Sequence, residues 1–139
     1  MADYNTATAW YDKAVKCEPL NDQLWEEAAI AYHNDKSYDK AIVYYNEALS
    51  INPRRIISMI NKAKALYVLS KIDEAISCLK KCLSISPENV EAVYNLALYY
   101  DVLQDYPNAI DAYSNVIEIV SDINDKRKVY AEQRVRELT

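Results

Sequence analysis

Apolar residues recur at intervals of three and four positions along most of the chain, which is the spacing of an amphipathic α-helix. One such stripe carries six apolar side chains: Tyr38, Ala41, Ile42, Tyr45, Ala48 and Leu49. The polar residues between them fall on the opposite side of the same helix. Because this spacing returns throughout the sequence, it predicts an all-α fold.

The helical pattern repeats itself every 34 residues. At this shift the prolines fall into register, at Pro19, Pro53 and Pro87. Four alanines also align, namely Ala7, Ala41, Ala75 and Ala109. We call a set of positions that align at this shift a column, and a third column contains Tyr11, Tyr45, Leu79 and Tyr113. Self-similarity at such a period indicates a protein built from helical repeats.

Each repeat is predicted to form two antiparallel helices joined by a tight turn. Ser37 and Asp105 stand where the N-caps of second helices belong. Asn52-Pro53 and Ser86-Pro87 end the second helices of the first two full repeats, because the residue before a proline is pushed out of the helical region, whereas Ser121 replaces the proline in the last repeat. One helix pair cannot bury its apolar side alone. We therefore expect the pairs to stack into a right-handed superhelical solenoid with a concave and a convex surface.

The recurring residues match a known motif, in which small and aromatic side chains alternate along two helices. The matching residues are Trp25, Ala29 and Tyr32, then Tyr38, Ala41, Tyr45, Ala48 and Pro53. In these residues the chain resembles the tetratricopeptide repeat family. The family's turn glycine is replaced here by Lys36, Ser70 or Gln104. If these residues are left-handed, each costs about 1 kcal/mol relative to glycine.

The resemblance covers nearly the whole chain and implies a single domain over residues 1–139. Full repeats are predicted at 22–55, 56–89 and 90–123, followed by a C-terminal capping helix at 124–138.

Residues 4–18 align with a second helix whose first helix is missing. We favour the interpretation that the chain is part of a longer repeat array. The alternative is that the protein begins here and covers the apolar side of the helix at residues 4–18 in another way. In both cases Trp10 and Tyr11 lie on an apolar edge that favours self-association, for example as a homodimer through this helix.

The family resemblance further implies that the first helix of each repeat lines a concave groove that holds a partner peptide. The first full repeat contributes Gln23, Glu26, Glu27, Ile30 and His33 to this groove. The second contributes Ile57, Ile60, Asn61, Lys64 and Tyr67, and the third contributes Glu91, Tyr94, Asn95 and Leu98. Helical spacing independently places Ile57, Ile60, Asn61 and Lys64 on one side of a helix.

Asn61 and Asn95 lie one repeat apart, in a column where the family often carries an asparagine. A side-chain amide can donate to and accept from an extended peptide backbone at once, so the pair is a candidate ladder. The alternative is that asparagine is merely tolerated there. Glu26 and Glu91 occupy positions where a carboxylate-binding chaperone adaptor needs cations, which argues against that subclass. The expected ligand has apolar anchors and some basic residues.

Composition excludes several other functions. The chain contains no glycine, so it cannot form the glycine-rich loops that hold nucleotide phosphates. A formal net charge of −5 argues against nucleic-acid binding. Cys78 and Cys82 are four residues apart but lack enough histidines nearby for a metal site, and no apolar run is long enough to cross a membrane. Three cysteines indicate a reducing compartment, so we expect the cytoplasm.

The sequence therefore predicts a protein–protein interaction module that has no catalytic activity, no cofactor and no metal. Its partner is expected to be a peptide segment of another protein, and its role that of a scaffold in a larger protein or assembly. Two alternatives remain open: a small free-standing chaperone for a secreted or assembling client, and a self-association module that acts through the N-terminal helix.

Overall fold

The computed structural model describes residues 4–139, with side chains from Thr6 onward, and the regular secondary structure of this part of the chain is all α-helix. The helices are α1 (Tyr4–Cys17), α2 (Asp22–Asn34), α3 (Tyr38–Ile51), α4 (Ile56–Val68), α5 (Ile72–Ile85), α6 (Val90–Val102), α7 (Tyr106–Ile119) and α8 (Lys126–Leu138). The predicted all-α fold is confirmed. The division of the chain into repeats stays a prediction, in which each full repeat contains two of these helices.

Side-chain caps begin several helices. The Asn21 side chain accepts a hydrogen bond from the backbone N–H of Leu24 at 3.2 Å, and Asn89 caps α6 in the same way. Asp105 caps α7, as the sequence predicts. Ser37 does stand at the N-cap of α3, but its hydroxyl donates to the Asp35 carboxylate instead of accepting from the helix. Caps of this kind satisfy backbone N–H groups that have no partner within the helix.

The turns inside the predicted repeats use the left-handed backbone conformation. Lys36, Ser70 and Gln104 have φ angles of 62°, 63° and 60°, so all three residues that replace the family's turn glycine are left-handed. At the first of these turns the Lys36 N–H donates to the His33 carbonyl, and the Ser37 N–H donates to the Tyr32 carbonyl. This is the Schellman pattern, which normally uses glycine because a Cβ atom is strained at positive φ.

Replacing Lys36 with glycine is expected to raise the free energy of unfolding by about 0.5–1 kcal/mol, because glycine removes the Cβ strain at φ 62°. Urea unfolding followed by circular dichroism measures the change. The matched control is Lys36→Ala, which keeps the Cβ atom and should gain nothing. Equal stability of the glycine and alanine variants would contradict the strain argument.

The chain divides into two compact units, Met1–Ala75 and Ile76–Thr139, and each is considered separately. In the first unit, α2 packs against α1 and α3, and α3 packs against α4. Its core contains Ala29, Tyr32, Ala41 and Tyr45, all of them buried. The small residues permit close helix approach, and the tyrosines fill the space beside them.

Asp12 of α1 ties three helices of the first unit together. Its carboxylate accepts a hydrogen bond from the Tyr32 hydroxyl of α2 at 2.6 Å, and a second from the Tyr44 hydroxyl of α3. Tyr44 also meets Trp25 edge to face, with ring centroids 5.3 Å apart. Hydrogen bonds to an ionised acceptor are stronger than neutral ones, so this contact fixes the position of α1 on the unit.

The second unit contains a similar junction around Asp101 of α6. Its carboxylate accepts from the Tyr113 hydroxyl of α7 at 2.9 Å and pairs with Arg134 of α8 through two nitrogens at 2.8 Å each. The hydrogen bond from Arg134 is the main cause that lowers the pKa of Asp101. Ala131 of α8 is fully buried, so α8 is fixed to this unit by packing as well as by charge.

Candidate peptide-binding surfaces

In the first unit, one stripe of α4 combines exposed apolar and partly buried polar side chains. Ile57 is 57% exposed, and Asn61 and Lys64 follow it at helical spacing with intermediate burial. Val68, one turn after Lys64, is 51% exposed and was not among the predicted site residues. We call Ile57, Asn61, Lys64 and Val68 the α4 stripe. Tyr67 is also exposed, at its edge.

Some predicted groove residues of α2 lie on the surface, and others pack against the core of the unit. Gln23 is exposed, and its amide donates to the Glu27 carboxylate at 3.1 Å. Ile30 is partly buried and packs against the core cluster that contains Ala29 and Tyr45. Gln23 and Glu27 therefore contribute a polar surface, whereas most of the apolar area of Ile30 is used inside the unit.

Two predicted groove residues are buried. Ile60 is 4% exposed and Glu26 is 6% exposed. The Glu26 carboxylate pairs with the Arg55 guanidinium at 2.9 Å and accepts from the Ser58 hydroxyl at 2.6 Å. Glu26 therefore joins α2 to the start of α4 and offers no free charge to a ligand in this structure.

Arg55 is held by a second carboxylate as well. Its Nε donates to Asp22 at 2.7 Å, and Asp22 also accepts from the Asn52 amide. Burial opposes the charge of Arg55, but its hydrogen bond to Asp22 and the charge of Glu26 outweigh that effect and raise the Arg55 pKa. The same hydrogen bond to Arg55 is the main cause that lowers the pKa of Asp22.

His33 faces α3. Its ring meets Tyr38 and Tyr45 edge on, at centroid distances of 5.2 and 6.3 Å. Its Nδ1 atom is buried and has no hydrogen-bond partner among residues 4–139. Burial, followed by the positive charge of Lys64, lowers the His33 pKa and so favours the neutral imidazole.

Asn61 lies beside the buried hydroxyl of Tyr45. Burial raises the Tyr45 pKa, the Glu26 carboxylate adds to the rise, and the Asn61 side chain opposes it. The Tyr45 hydroxyl nevertheless has no partner with hydrogen-bond geometry in the described chain. Asn61 is therefore accessible at the α4 stripe and also close to the core, which matches both interpretations of an asparagine in this column.

In the second unit, α6 and α8 present the corresponding surface. Glu91 is exposed, and Tyr94, Asn95 and Leu98 are partly buried. Tyr94 meets Tyr130 of α8 edge on at 6.2 Å. Burial, and then the nearby Tyr130, raises the Tyr94 pKa.

Two exposed valines extend this surface beyond the predicted residues. Val102, one turn after Leu98, is 51% exposed, and Val129 of α8 is 48% exposed. Val102 stands one repeat after Val68. The 34-residue register could therefore have identified Val68 and Val102 together as candidate surface residues.

The exposed side of α1 carries the predicted self-association residues. Trp10 is 60% exposed and meets the partly buried Tyr11 edge on at 5.0 Å. Val15 and Thr8 of the same helix are buried.

Residues 4–139 contain no cluster of three or more His, Cys, Asp or Glu side chains that could hold a metal ion. Cys82 is buried, which raises its pKa, Cys78 is partly buried, and Cys17 is exposed. Across the same described helices, none is long and apolar enough to cross a bilayer.

Comparisons with known proteins agree on one fold. The family model described as "Anaphase-promoting complex, cyclosome, subunit 3" matches residues 1–82, and the model described as "Tetratricopeptide repeat" matches residues 60–122. No curated protein matches the chain in sequence.

Among solved structures, a MamA crystal structure is 20% identical with a TM-score of 0.88, over 98% of this chain and 77% of that one. A MamA fragment from Desulfovibrio magneticus RS-1 is 18% identical with a TM-score of 0.83, over 99% and 75%. The first tetratricopeptide domain of Spaghetti, bound to an HSP90 peptide, is 21% identical with a TM-score of 0.74, over 84% and 89%. At these identities the likeness shows the fold alone.

Proposed function

Because the chain belongs to the tetratricopeptide repeat proteins, in the family described as anaphase-promoting complex, cyclosome, subunit 3, we propose that it is a non-enzymatic module that binds a peptide segment of a partner protein. The first helices of its repeats carry the peptide, and the module acts as a scaffold within a larger protein or assembly. An odd number of cysteines supports a reducing compartment such as the cytoplasm. The peptide in the Spaghetti structure gives a precedent for peptide binding on this fold.

The observation that carries this proposal is the α4 stripe. Two half-exposed apolar side chains, Ile57 and Val68, stand at its ends, and the polar Asn61 and Lys64 lie between them. At the helical rise the ends are about 16 Å apart, which corresponds to roughly five residues of an extended peptide. The stripe therefore fits a peptide with two apolar anchors, whose backbone between them meets the Asn61 amide and the Lys64 ammonium.

The charge of the surface refines the expected ligand. Glu26 is neutralised by Arg55 inside the unit, so it supplies little attraction for a basic residue. Glu27 remains partly exposed on α2, and Glu91 is exposed on α6. The proposed ligand is therefore defined mainly by its apolar anchors, and basic residues outside the anchors add to affinity through Glu27 or Glu91.

The proposal predicts that substitutions at the ends of the α4 stripe weaken peptide binding. Peptides that bind the wild-type chain can be selected from a displayed library of short random sequences. Their affinity for the Ile57→Asp variant and for the Val68→Asp variant should be about tenfold or more weaker, because burial of the apolar side chain against the peptide is lost. Fluorescence anisotropy of labelled peptides gives the dissociation constants.

The matched control is Val43→Asp on α3, where the valine is 53% exposed but lies outside the predicted groove. Its affinity for the selected peptides should stay within twofold or so of the wild type, since it removes an apolar side chain of equal exposure elsewhere. Peptides that bind all three variants as tightly as the wild type would refute the groove.

A second candidate function, self-association, is favoured by α1. Trp10 exposes 60% of its surface although large aromatic side chains contribute strongly to interfaces. The two functions use different helices, so they can be tested independently.

A further inference from the structure

Two buried polar atoms of the first unit have no hydrogen-bond partner among the residues that the structure describes. They are Nδ1 of His33 and the hydroxyl oxygen of Tyr45, and the two rings meet edge on with centroids 6.3 Å apart. Tyr45 is fully buried, so its hydroxyl cannot turn to bulk water instead. A buried polar group without a partner costs stability, and folded proteins contain few such groups. Two of them on rings in contact point to a place where a partner from outside the chain binds.

The second unit shows the same two columns with their hydrogen bonds satisfied. Asp101 and Tyr113 stand two periods of the repeat after His33 and Tyr45. There the Tyr113 hydroxyl donates to the Asp101 carboxylate at 2.9 Å. The two columns are therefore able to satisfy a buried tyrosine hydroxyl. In the first unit the acceptor is replaced by a histidine, and both side chains keep an unused hydrogen-bonding atom.

The two unpartnered atoms lie next to the middle of the α4 stripe. Asn61 is beside the Tyr45 hydroxyl, where its side chain opposes the rise of the Tyr45 pKa that burial causes. Lys64 is close to His33, since its charge adds to the effect of burial in lowering the His33 pKa. Asn61 and Lys64 are the polar residues between the two apolar ends of the stripe. We call His33, Tyr45 and Asn61 the polar recess.

We propose that the polar recess is a subsite for the side-chain amide of an asparagine or glutamine that the peptide carries between its two apolar anchors. This inference rests on the proposed peptide-binding function and names the central residue of the ligand. Asn61 turns its amide from Tyr45 toward the peptide backbone and uncovers the hydroxyl. The ligand amide then accepts from the Tyr45 hydroxyl through its oxygen and donates to His33 Nδ1 through its nitrogen.

The charges around the recess favour a neutral ligand group. After burial, the Glu26 carboxylate is the next cause that raises the Tyr45 pKa, so a ligand carboxylate at this hydroxyl would be repelled. The Lys64 ammonium acts in the same way on a positive charge at His33. A neutral imidazole has one donor and one acceptor nitrogen. An amide both donates and accepts without a charge, so it complements the imidazole and the phenol together.

The recess links the stability of the free chain to the choice of ligand. In the free chain the Tyr45 hydroxyl is buried without compensation, and the ligand amide supplies the missing hydrogen bonds. A peptide without the amide leaves these groups unpaired in the complex, which sites built for hydrogen bonding discriminate against strongly. Tyr45→Phe should therefore stabilise the free chain and weaken its binding to an amide peptide. Loss of packing alone would not combine these two effects.

Peptides selected on the wild-type chain from a displayed library of short random sequences test the proposal. Those whose affinity depends on Ile57 and Val68 should carry asparagine or glutamine between two apolar residues. In a synthetic copy of such a peptide, replacement of the amide residue by leucine should weaken binding to the wild type by about tenfold or more. The same replacement should weaken binding to Tyr45→Phe by only about threefold or less, because one partner of the amide is gone.

Tyr113→Phe is the matched control, since it removes a buried tyrosine hydroxyl from the same column in the other unit. It should distinguish the amide peptide from the leucine peptide as strongly as the wild type does. His33→Leu removes the other partner and should also reduce the preference for the amide. Urea unfolding of each variant shows that it is folded, and either Tyr45→Phe or His33→Leu is sufficient for the test.

The other outcomes overturn the subsite and can be told apart from failure of the proposed function. Any other residue enriched at the centre of the peptide, or an amide preference unchanged in Tyr45→Phe and His33→Leu, would exclude the subsite and leave peptide binding intact. A Tyr45→Phe variant less stable than the wild type would show that the hydroxyl already has a partner in the free chain. If no selected peptide depends on Ile57 or Val68, binding on the α4 stripe fails, and the subsite fails with it.

Discussion

Replacing Glu26 with alanine is expected to lower the free energy of unfolding by about 3 kcal/mol, because removal of one member of a buried ion pair leaves its partners uncompensated. The carboxylate is 6% exposed and has two partners, the Arg55 guanidinium at 2.9 Å and the Ser58 hydroxyl at 2.6 Å. Ser58 is fully buried and loses its acceptor. The Arg55 side chain is 21% exposed and keeps Asp22, which places the loss near the lower end for buried pairs.

Urea unfolding of Glu26→Ala measures this loss, and Glu27→Ala is the matched control on the same helix. Among the residues that the structure describes, Glu27 accepts a hydrogen bond from the exposed Gln23 amide, so its removal should change stability by less than about 0.5 kcal/mol. A double-mutant cycle with Arg55→Ala isolates the pair, and we expect a coupling of about 1–3 kcal/mol. A cycle in which the two losses simply add would show that the pair does not couple.

This result also bears on the peptide-binding proposal. Glu26 was predicted to face the groove, and a variant at this position would lose binding even if the residue never met a ligand, because it joins α2 to α4. Binding measurements with Glu26→Ala therefore report on the integrity of the first unit. Ile57 and Val68 are the better probes of the surface, since about half of each residue is exposed and neither supports the core.

Much of the fold could be predicted from the sequence, because in a repeat protein each feature is stated several times. The 34-residue period aligned Tyr45 with Tyr113, and both are completely buried. The turn positions were found in the same way, and Lys36, Ser70 and Gln104 are all left-handed. One residue in isolation would not have indicated a left-handed turn in a chain without glycine.

The site was harder to predict, because a column gives the direction of a side chain but not what it meets there. Glu26, Ile60 and Tyr94 share one column, which was assigned to the groove. Glu26 reaches Ser58 of the next first helix, and Tyr94 meets Tyr130 of the next first helix in its own unit. Glu26 and Tyr94 therefore point toward the next first helix within their own units.

The polarity of Glu26 did not indicate that this residue is buried. An acidic residue on an amphipathic helix resembles a surface residue, and the partners that bury Glu26 lie 29 and 32 positions later in the sequence. Conversely, Val68 and Val102 are the last residues of α4 and α6 and were not assigned to the groove, although each is 51% exposed.

Tyr45 and Tyr113 form a matched pair whose replacement by phenylalanine should have opposite effects on stability. They share one column and are both 0% exposed, so we expect the Tyr→Phe substitution to change side-chain packing to the same extent at the two positions. The Tyr113 hydroxyl donates to the Asp101 carboxylate at 2.9 Å. The Tyr45 hydroxyl is buried without a partner in the part of the chain that the structure describes. The two substitutions therefore differ only in what the hydroxyl does.

Tyr113→Phe should lower the free energy of unfolding by about 2 kcal/mol, since a buried hydrogen bond to a charged acceptor is lost. Tyr45→Phe should raise it by about 1 kcal/mol, because the hydroxyl no longer has to give up its water without compensation. Burial is the main cause of the raised pKa of both tyrosines. Chemical unfolding of both variants measures the difference.

Asp101 provides the internal control for this pair. It remains bound to Arg134 in the Tyr113→Phe variant, so the loss should reflect the tyrosine hydrogen bond and not a stranded carboxylate. Combining Tyr113→Phe with Asp101→Asn should then cost less than the sum of the single changes, because both remove the same bond. If Tyr45→Phe is as destabilising as Tyr113→Phe, the Tyr45 hydroxyl must have a partner in solution. The amide of Asn61, which already opposes the rise of the Tyr45 pKa, is the residue to test next, by Asn61→Ala.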